Sequence, residues 1–200
     1  FQGLNLTATR SITVASSYKN VKSDVSLPYT PPAISGASAV YNPRPVSALA
    51  RFQDLLTWCN EQRATAPFRR LKVLERDGYG WIEYVRRADC GTPEDAHRFY
   101  ERQGAYLAIL YGLGANDFHY ENLIAAGEQP LLVDLETLVV PTLRRAAPPS
   151  ARDLVADQLA QSVLRTGLLP QHALPDRDGN GVDLSGLGGR AGQPIPFQRL

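Results

Sequence analysis

Asp117-Phe-His-Tyr-Glu-Asn122 and, a little further on, Pro130-Leu-Leu-Val-Asp134 are the stretches on which the reading of this chain turns. The first sets an aspartate and an asparagine in the spacing Asp-x4-Asn inside a polar loop. The second is a short apolar run, the pattern of a buried strand, that ends on an acid. Each half has an ordinary structural reading: Asp117 caps a turn, Asn122 adopts a turn conformation, and Asp134 closes a strand. Together, a helix, a polar loop, a strand and an acid follow one another in an order that also gathers hard oxygen ligands.

Kinase catalytic loops use the same Asp-x4-Asn interval, and in them a metal-binding aspartate follows at the end of a β-hairpin. The chemistry accounts for the residue types. The β and γ phosphates of a nucleotide need Mg²⁺ to bridge and neutralise them, and Mg²⁺ prefers oxygen donors such as those of Asp134 and Asn122. Glu136 either helps hold the metal or positions Asn122. The attacking hydroxyl needs orientation and a proton acceptor that does not itself bind the metal, the role read for Asp117. His119 orients Asp117, contacts phosphate, or serves only a hydrogen bond within the turn.

Working outward, Thr92 or Pro93 opens a helix on which Phe99, Tyr106, Leu110 and Leu113 share a face, closed by Gly112 and Gly114. Before it, Leu71–Leu74 and Trp81–Val85 flank Arg76-Asp-Gly-Tyr-Gly80, the arrangement of a β-hairpin. From Ser47 another helix puts Leu49, Phe52, Leu55, Leu56 and Cys59 on one face, with Arg51, Gln53 and Glu61 opposite. Residues 1–41 read as a small irregular sheet, with β-like runs at Ser11–Val14 and Ser38–Tyr41, interrupted at Pro28, Pro31 and Pro32. Beyond Glu136 come an Arg/Pro-rich connector, a helix from about Ala151 to Leu164, and the run Leu184-Ser-Gly-Leu-Gly-Gly189.

Composition narrows the function classes. The 200 residues are 44% hydrophobic and 20% charged, an ordinary globular balance, with a formal net charge of +1. With no basic block or basic amphipathic helix, nucleic acid is not an expected partner. No apolar stretch reaches bilayer-spanning length and the first residues lack the order of a signal peptide, so no transmembrane segment and a cytoplasmic location are expected. The chain contains no methionine, so it reads as an internal fragment. Cys59 and Cys90 have neither CxxC spacing nor a nearby histidine pair, and both read as buried small hydrophobes, a thiol nucleophile being the alternative.

A longer pattern surrounds the decisive stretch. Tyr111-Gly-Leu-Gly-Ala-Asn-Asp-Phe-His-Tyr-Glu-Asn-Leu-Ile-Ala-Ala-Gly127 and Pro130-Leu-Leu-Val-Asp-Leu-Glu-Thr-Leu138 resemble the dehydratase domain of class II lanthipeptide synthetases. So do Gly78–Val85, Ser162-Val-Leu-Arg-Thr-Gly-Leu-Leu-Pro170 and Asp183–Gly189, so that most of Tyr41 to Phe197 is covered. The resemblance implies an α+β, protein/lipid-kinase-like two-lobe fold, incomplete at both ends, with a sheet-rich lobe over residues 1–90 and a helical lobe over 91–200. It implies that ATP and Mg²⁺ phosphorylate Ser and Thr of a ribosomal precursor peptide (leader plus Ser/Thr/Cys-rich core), and that phosphate is then eliminated to leave dehydroamino acids. Asp117, His119, Asn122, Asp134 and Glu136 match the family's kinase-type site, and Tyr84-Val85 matches its adenine-side strand connection. The elimination residues, and a C-terminal cyclase domain carrying zinc, are expected downstream of Leu200.

Two departures bear on nucleotide binding. Where the family reads Val-Tyr-Lys-Pro followed by a base, this chain has Val40-Tyr-Asn-Pro-Arg44: Asn42 replaces the first base, while Arg44 still offers a phosphate contact with a different reach. Where the family has Ser-Asp-x-His and a glycine-rich turn, this chain has Ser23-Asp-Val-Ser26 and prolines, keeping Asp24 without the histidine. A non-catalytic relative and a small-molecule kinase are therefore the competing readings. Asp176–Gly181 resembles the start of a calcium loop but has Leu187 at the twelfth position, and reads as a hairpin turn. Gly186-Leu-Gly-Gly189 lacks the Lys-Ser/Thr of a phosphate-binding loop and also reads as a turn. Arg165-Thr166 could touch substrate phosphate, but Arg165, near a helix end, reads first as a partner of the helix dipole or of a carboxylate.

Overall fold

Leu49, Phe52 and Leu56 recur at helical spacing and are buried along one face of α1 (Ser47–Gln62) in the computed structural model. The structure describes residues 15–16, 39–63, 66–140, 150–175 and 181–187. The β-like run at Ser11–Val14, the segment holding Asp24 and Ser26, and the tip of the supposed calcium loop lie outside the described residues. The chain divides into two compact units, one of Phe1–Gln62 with Arg69–Arg86, the other of Arg63–Phe68 with Arg87–Leu200. Among the described residues the architecture is α+β, with three α-helices and eight short strands.

The first unit is a four-stranded sheet in the order β1-β2-β4-β3, made of β1 (Ala15–Ser16), β2 (Ala39–Asn42), β3 (Val73–Arg76) and β4 (Tyr79–Glu83). β1 runs parallel to β2, and the other pairs are antiparallel. Asp77-Gly78 makes the two-residue turn of the β3–β4 hairpin, with Gly78 left-handed at φ +80, a conformation open to glycine at no steric cost. Tyr41 lies opposite Trp81, with ring centroids 5.0 Å apart, and also meets Tyr79 at 5.9 Å. Gly80 is fixed by packing: a Cβ there would stand 2.1 Å from Val46 Cγ2, and Val46 is buried.

Two expectations fail in this unit. Gln53 sits on the buried face of α1, because its Oε1 accepts a hydrogen bond from Leu71 N at 2.8 Å and so satisfies a buried backbone donor. Cys59 is only half-buried, and burial pushes its thiol above the ordinary value, which disfavours the thiolate of a nucleophile. Cys90, in the second unit, is exposed and its Sγ donates to Gly127 O at 3.5 Å. Neither cysteine is a buried hydrophobe.

In the second unit α2 (Pro93–Leu113) begins with a capping box. Asp95 N donates to Thr92 Oγ1 at 3.1 Å, and Thr92 N donates to Asp95 Oδ2 at 3.0 Å. Gly114, left-handed at φ 78, ends the helix. Tyr106 and Leu110 are fully buried, while Phe99 and Leu113 are half-buried. Arg102 is buried as well, 2% exposed. It donates to Pro67 O at 2.9 Å and to Glu128 O at 2.8 Å, and its guanidinium meets the Glu128 carboxylate at 3.3 Å.

The hairpin β5 (Leu123–Ala126) and β6 (Gln129–Leu132), turned by Gly127-Glu128, packs Leu123, Leu131 and Leu132 into the core beneath α2. Three such side chains contribute roughly 1.5–3 kcal/mol each. α3 (Ala151–Gln161) is shorter than expected because Ser162 turns extended. Ser162 Oγ then accepts Leu164 N at 3.2 Å and caps a 3-10 turn, Val163–Thr166. β7 (His172–Pro175) pairs antiparallel with β8 (Gly181–Asp183). No helix among the described residues is long and apolar enough to cross a membrane.

Candidate functional site

The β5–β6 hairpin delivers two of the singled-out residues to one end. Asn122 precedes β5, Val133 follows β6, and Val133 N donates to Asn122 O at 2.9 Å, which sets Asp134 one residue past that link. Asn122 Nδ2 donates to Asp117 O at 2.7 Å. Its amide oxygen therefore forms the end of the side chain directed away from Asp117. A second lacing joins the flanks: Asn116 N donates to Thr137 O at 3.3 Å, and Thr137 Oγ1 donates to Asn116 O at 2.7 Å. The residue before Asp117 is thus tied to the 3-10 turn Leu135–Thr137, which carries Glu136.

Asp117 and Asp134 share a backbone feature. Among the described residues other than glycine, positive φ occurs at Arg63, Asp117 (φ 68) and Asp134 (φ 57). Aspartate tolerates this left-handed region better than most residues, yet it remains costly, and such strain collects at functional sites. Asp117 is exposed, with its carboxylate Oδ1 3.6 Å from His119 Nε2. His119 Nδ1 accepts the Glu121 backbone N–H at 3.2 Å. With Nδ1 accepting, the neutral ring carries its proton on Nε2, the nitrogen facing Asp117.

Elements far along the chain hold this loop from behind. Phe118 N donates to Thr166 O at 2.8 Å, Tyr120 N donates to Leu184 O at 3.1 Å, and His119 forms an isolated antiparallel bridge with Ser185. Phe118, Thr166 and Leu168 are completely buried there. Sequence reasoning missed Thr137 and Ser185, and weighed Thr166 only as a phosphate contact beside Arg165, not as the residue whose carbonyl holds Phe118. Their only signal was position within family-like stretches, because their partners lie many residues away. Arg165 donates to Tyr111 O at the end of α2 and stacks over the Tyr111 ring at 4.9 Å, the helix-end role read for it.

Asp117, His119, Asn122, Asp134 and Glu136 are thus carried on two loops laced to each other. Arg44, Tyr84 and Val85 belong to the other unit: Arg44 and Tyr84 are exposed, and Val85 is buried. Asn42 Oδ1 accepts the Arg44 backbone N–H at 3.0 Å, a local turn bond. Asp24 lies outside the described residues. Asp134 and Glu136, both exposed, and the Asn122 amide could offer oxygen donors of the kind a hard cation takes. Among the described residues no three His, Cys, Asp or Glu side chains form a metal-binding group. A cation here would complete its shell from phosphate and water, as Mg²⁺ does.

Known proteins share this chain's sequence. It is 30% identical over 140 residues to the "Lacticin 481/lactococcin biosynthesis protein LcnDR2" of Lactococcus lactis subsp. lactis, an alignment covering 66% of this chain. That stretch spans only 15% of the relative's length. Residues 33–200 match the family described as "Domain of unknown function (DUF4135)". The match takes in every element from β2 onward and every candidate site residue except Asp24, so the chain belongs to the DUF4135 family.

Proposed function

We propose that the chain is part of a kinase-like dehydratase of lanthipeptide biosynthesis, which uses ATP and Mg²⁺ to phosphorylate Ser and Thr of a precursor peptide before phosphate is eliminated. Similarity to a lacticin 481/lactococcin biosynthesis protein supports the biosynthetic setting. The observation that carries the phosphotransfer reading is the pair of left-handed aspartates, Asp117 and Asp134, on two loops laced through Asn116–Thr137 and Asn122–Val133.

In this reading Asp134, Asn122 and Glu136 hold the metal, which when bound neutralises the β and γ phosphates. Asp117 accepts the proton of the Ser or Thr hydroxyl as its oxygen bonds to the γ phosphorus and the bond to the ADP oxygen breaks. His119, through Nε2–H, orients the Asp117 carboxylate. In the later step the phosphoester loses its Cα proton and the Cβ–O bond breaks, releasing phosphate. The protein/lipid-kinase-like two-lobe fold belongs to the same proposal, as do a cyclase domain elsewhere in the protein and a cytoplasmic location.

One observation favours a second reading, a relative that binds without transferring phosphate. The Asn42 side chain is used on its own turn, where the resembled family carries a base. Calorimetry of Mg²⁺-dependent ATP binding by the full-length protein separates the two. Binding that needs Mg²⁺ and disappears in Asp134→Asn supports the kinase-type site, and a peptide phosphorylation assay then follows. A silent wild type with a binding Asn42→Lys variant supports the second reading. Silence from every folded variant rejects a nucleotide site.

A further inference from the structure

Gly167 and Gly186 both press on the backbone of Phe118, the residue after Asp117. Gly167 is left-handed at φ +75, and a Cβ there would stand 3.0 Å from Phe118 N and 3.6 Å from Asp117 C. At Gly186 a Cβ would stand 2.8 Å from Phe118 O and 2.8 Å from Leu168 Cδ1. Such approaches leave room for hydrogen alone. The two glycines are also joined to each other, Gly186 N donating to Gly167 O at 3.0 Å, with Leu187 N donating to Leu168 O at 3.1 Å beside them. The contrast within the same unit is plain: a Cβ on Gly104 or Gly112 would meet nothing within 4 Å.

We propose that Gly167 and Gly186 are positioning residues for phosphoryl transfer, clamping the Phe118 backbone and thereby fixing the left-handed Asp117 beside it. The proposal rests on the kinase-like reading of the Asp117 loop. A strained residue keeps its conformation only where its surroundings over-determine it. Here the surroundings are two segments, anchored by the buried Thr166, Leu168 and Ser185, that reach Phe118 at its backbone N and O. The atoms nearest a Cβ on either glycine belong to Asp117, Phe118 and Leu168, and none belongs to the binding residues on the hairpin side, Asn122, Asp134 and Glu136. The clamp therefore acts on the orientation of the proton acceptor more than on nucleotide affinity.

The test uses Gly186→Ala and Gly167→Asn in the full-length protein, with Gly104→Ala as control. Asparagine tolerates the left-handed backbone while adding the same Cβ, so Gly167→Asn keeps the test alive if Gly186→Ala folds poorly. Hydrogen exchange at the Phe118 and Tyr120 amides, bonded to Thr166 O and Leu184 O, should quicken in both variants and not in the control. Steady-state peptide phosphorylation should show kcat falling on the order of a hundredfold with KM for ATP little changed, as misplacement by about 1 Å does. Unchanged exchange at both amides overturns the clamp whatever the reaction proves to be. Faster exchange with wild-type kcat leaves the glycines structural and overturns the positioning role. A wild type that transfers no phosphate rejects the kinase-like reading itself, and the exchange data still decide whether the glycines hold the loop.

Discussion

At positions 117 and 134 the backbone asks for a residue the chain does not use. At φ 68 and φ 57 a Cβ crowds the following carbonyl, costing about 1–2 kcal/mol for ordinary side chains. Asp134→Gly should therefore relieve that crowding. Asp134→Ala should fall about 1 kcal/mol below the glycine variant, and under the proposed kinase-like function both should lose Mg²⁺-dependent nucleotide binding. Thermal melts and calorimetry on the three proteins check this, and equal stability of the alanine and glycine variants would dismiss the strain. That Asn122 and Asp134 would come to one end of a hairpin beside the Asp117 loop was legible in the sequence, because a loop and a hairpin are local. The left-handed backbone of the two aspartates was not legible, since aspartate sits in turns of every kind. Nor were Gly167 and Gly186, whose meaning comes from a close approach to Phe118 that no local pattern records.

Among the elements, the ends of α2 were legible because caps are written in adjacent residues: Thr92 and Pro93 at the start and Gly114 at the finish, although Gly112, also read as a stop, lies inside the helix. Its buried face was read only in part. Helical periodicity picks out Tyr106 and Leu110 but has no place for Arg102, whose burial depends on carbonyls of Pro67 and Glu128 brought there by other segments. Arg102→Ala strands those carbonyls and should cost about 2–4 kcal/mol, whereas Arg102→Met should recover the share due to packing of the stem. Denaturant melts measure both. Glu128 supplies a pH signature. The hydrogen bond from Arg98, and then the attraction of Arg102 and Arg98, hold its carboxyl below the ordinary value of 4.5 against partial desolvation. A depressed folded-state pKa means that the stabilisation is complete above the unfolded value and is lost as pH falls through the folded one. The gap in Tm between wild type and Glu128→Gln should thus hold steady at neutral pH and close only once the pH has fallen below the ordinary value of 4.5. A gap that persists in acid would show that the carboxylate charge is not what stabilises the pair.

For the whole molecule, the sequence reading put a single boundary near residue 90, but the chain passes from one compact unit to the other three times. It enters the second unit at Arg63, returns at Arg69 and crosses again at Arg87. What assigns the short Arg63–Phe68 stretch to the second unit is side-chain packing: the Phe68 ring lies 4.5 Å from that of Tyr106, and Pro67 O accepts from Arg102. No composition shift marks so brief a visit, which is why it was invisible beforehand. The crossing makes a prediction about cooperativity. Phe68→Ala opens a cavity against Tyr106 and should cost about 3–5 kcal/mol. If the two units are separate cooperative bodies, native-state hydrogen exchange should quicken through α2 and the β5–β6 hairpin. The amides of β3 and β4 should keep their protection, although β3 begins only five residues after Phe68. Exchange that quickens equally in both units would show that they open as one, and that Arg63–Phe68 is a shared strut and not a piece of the second unit alone.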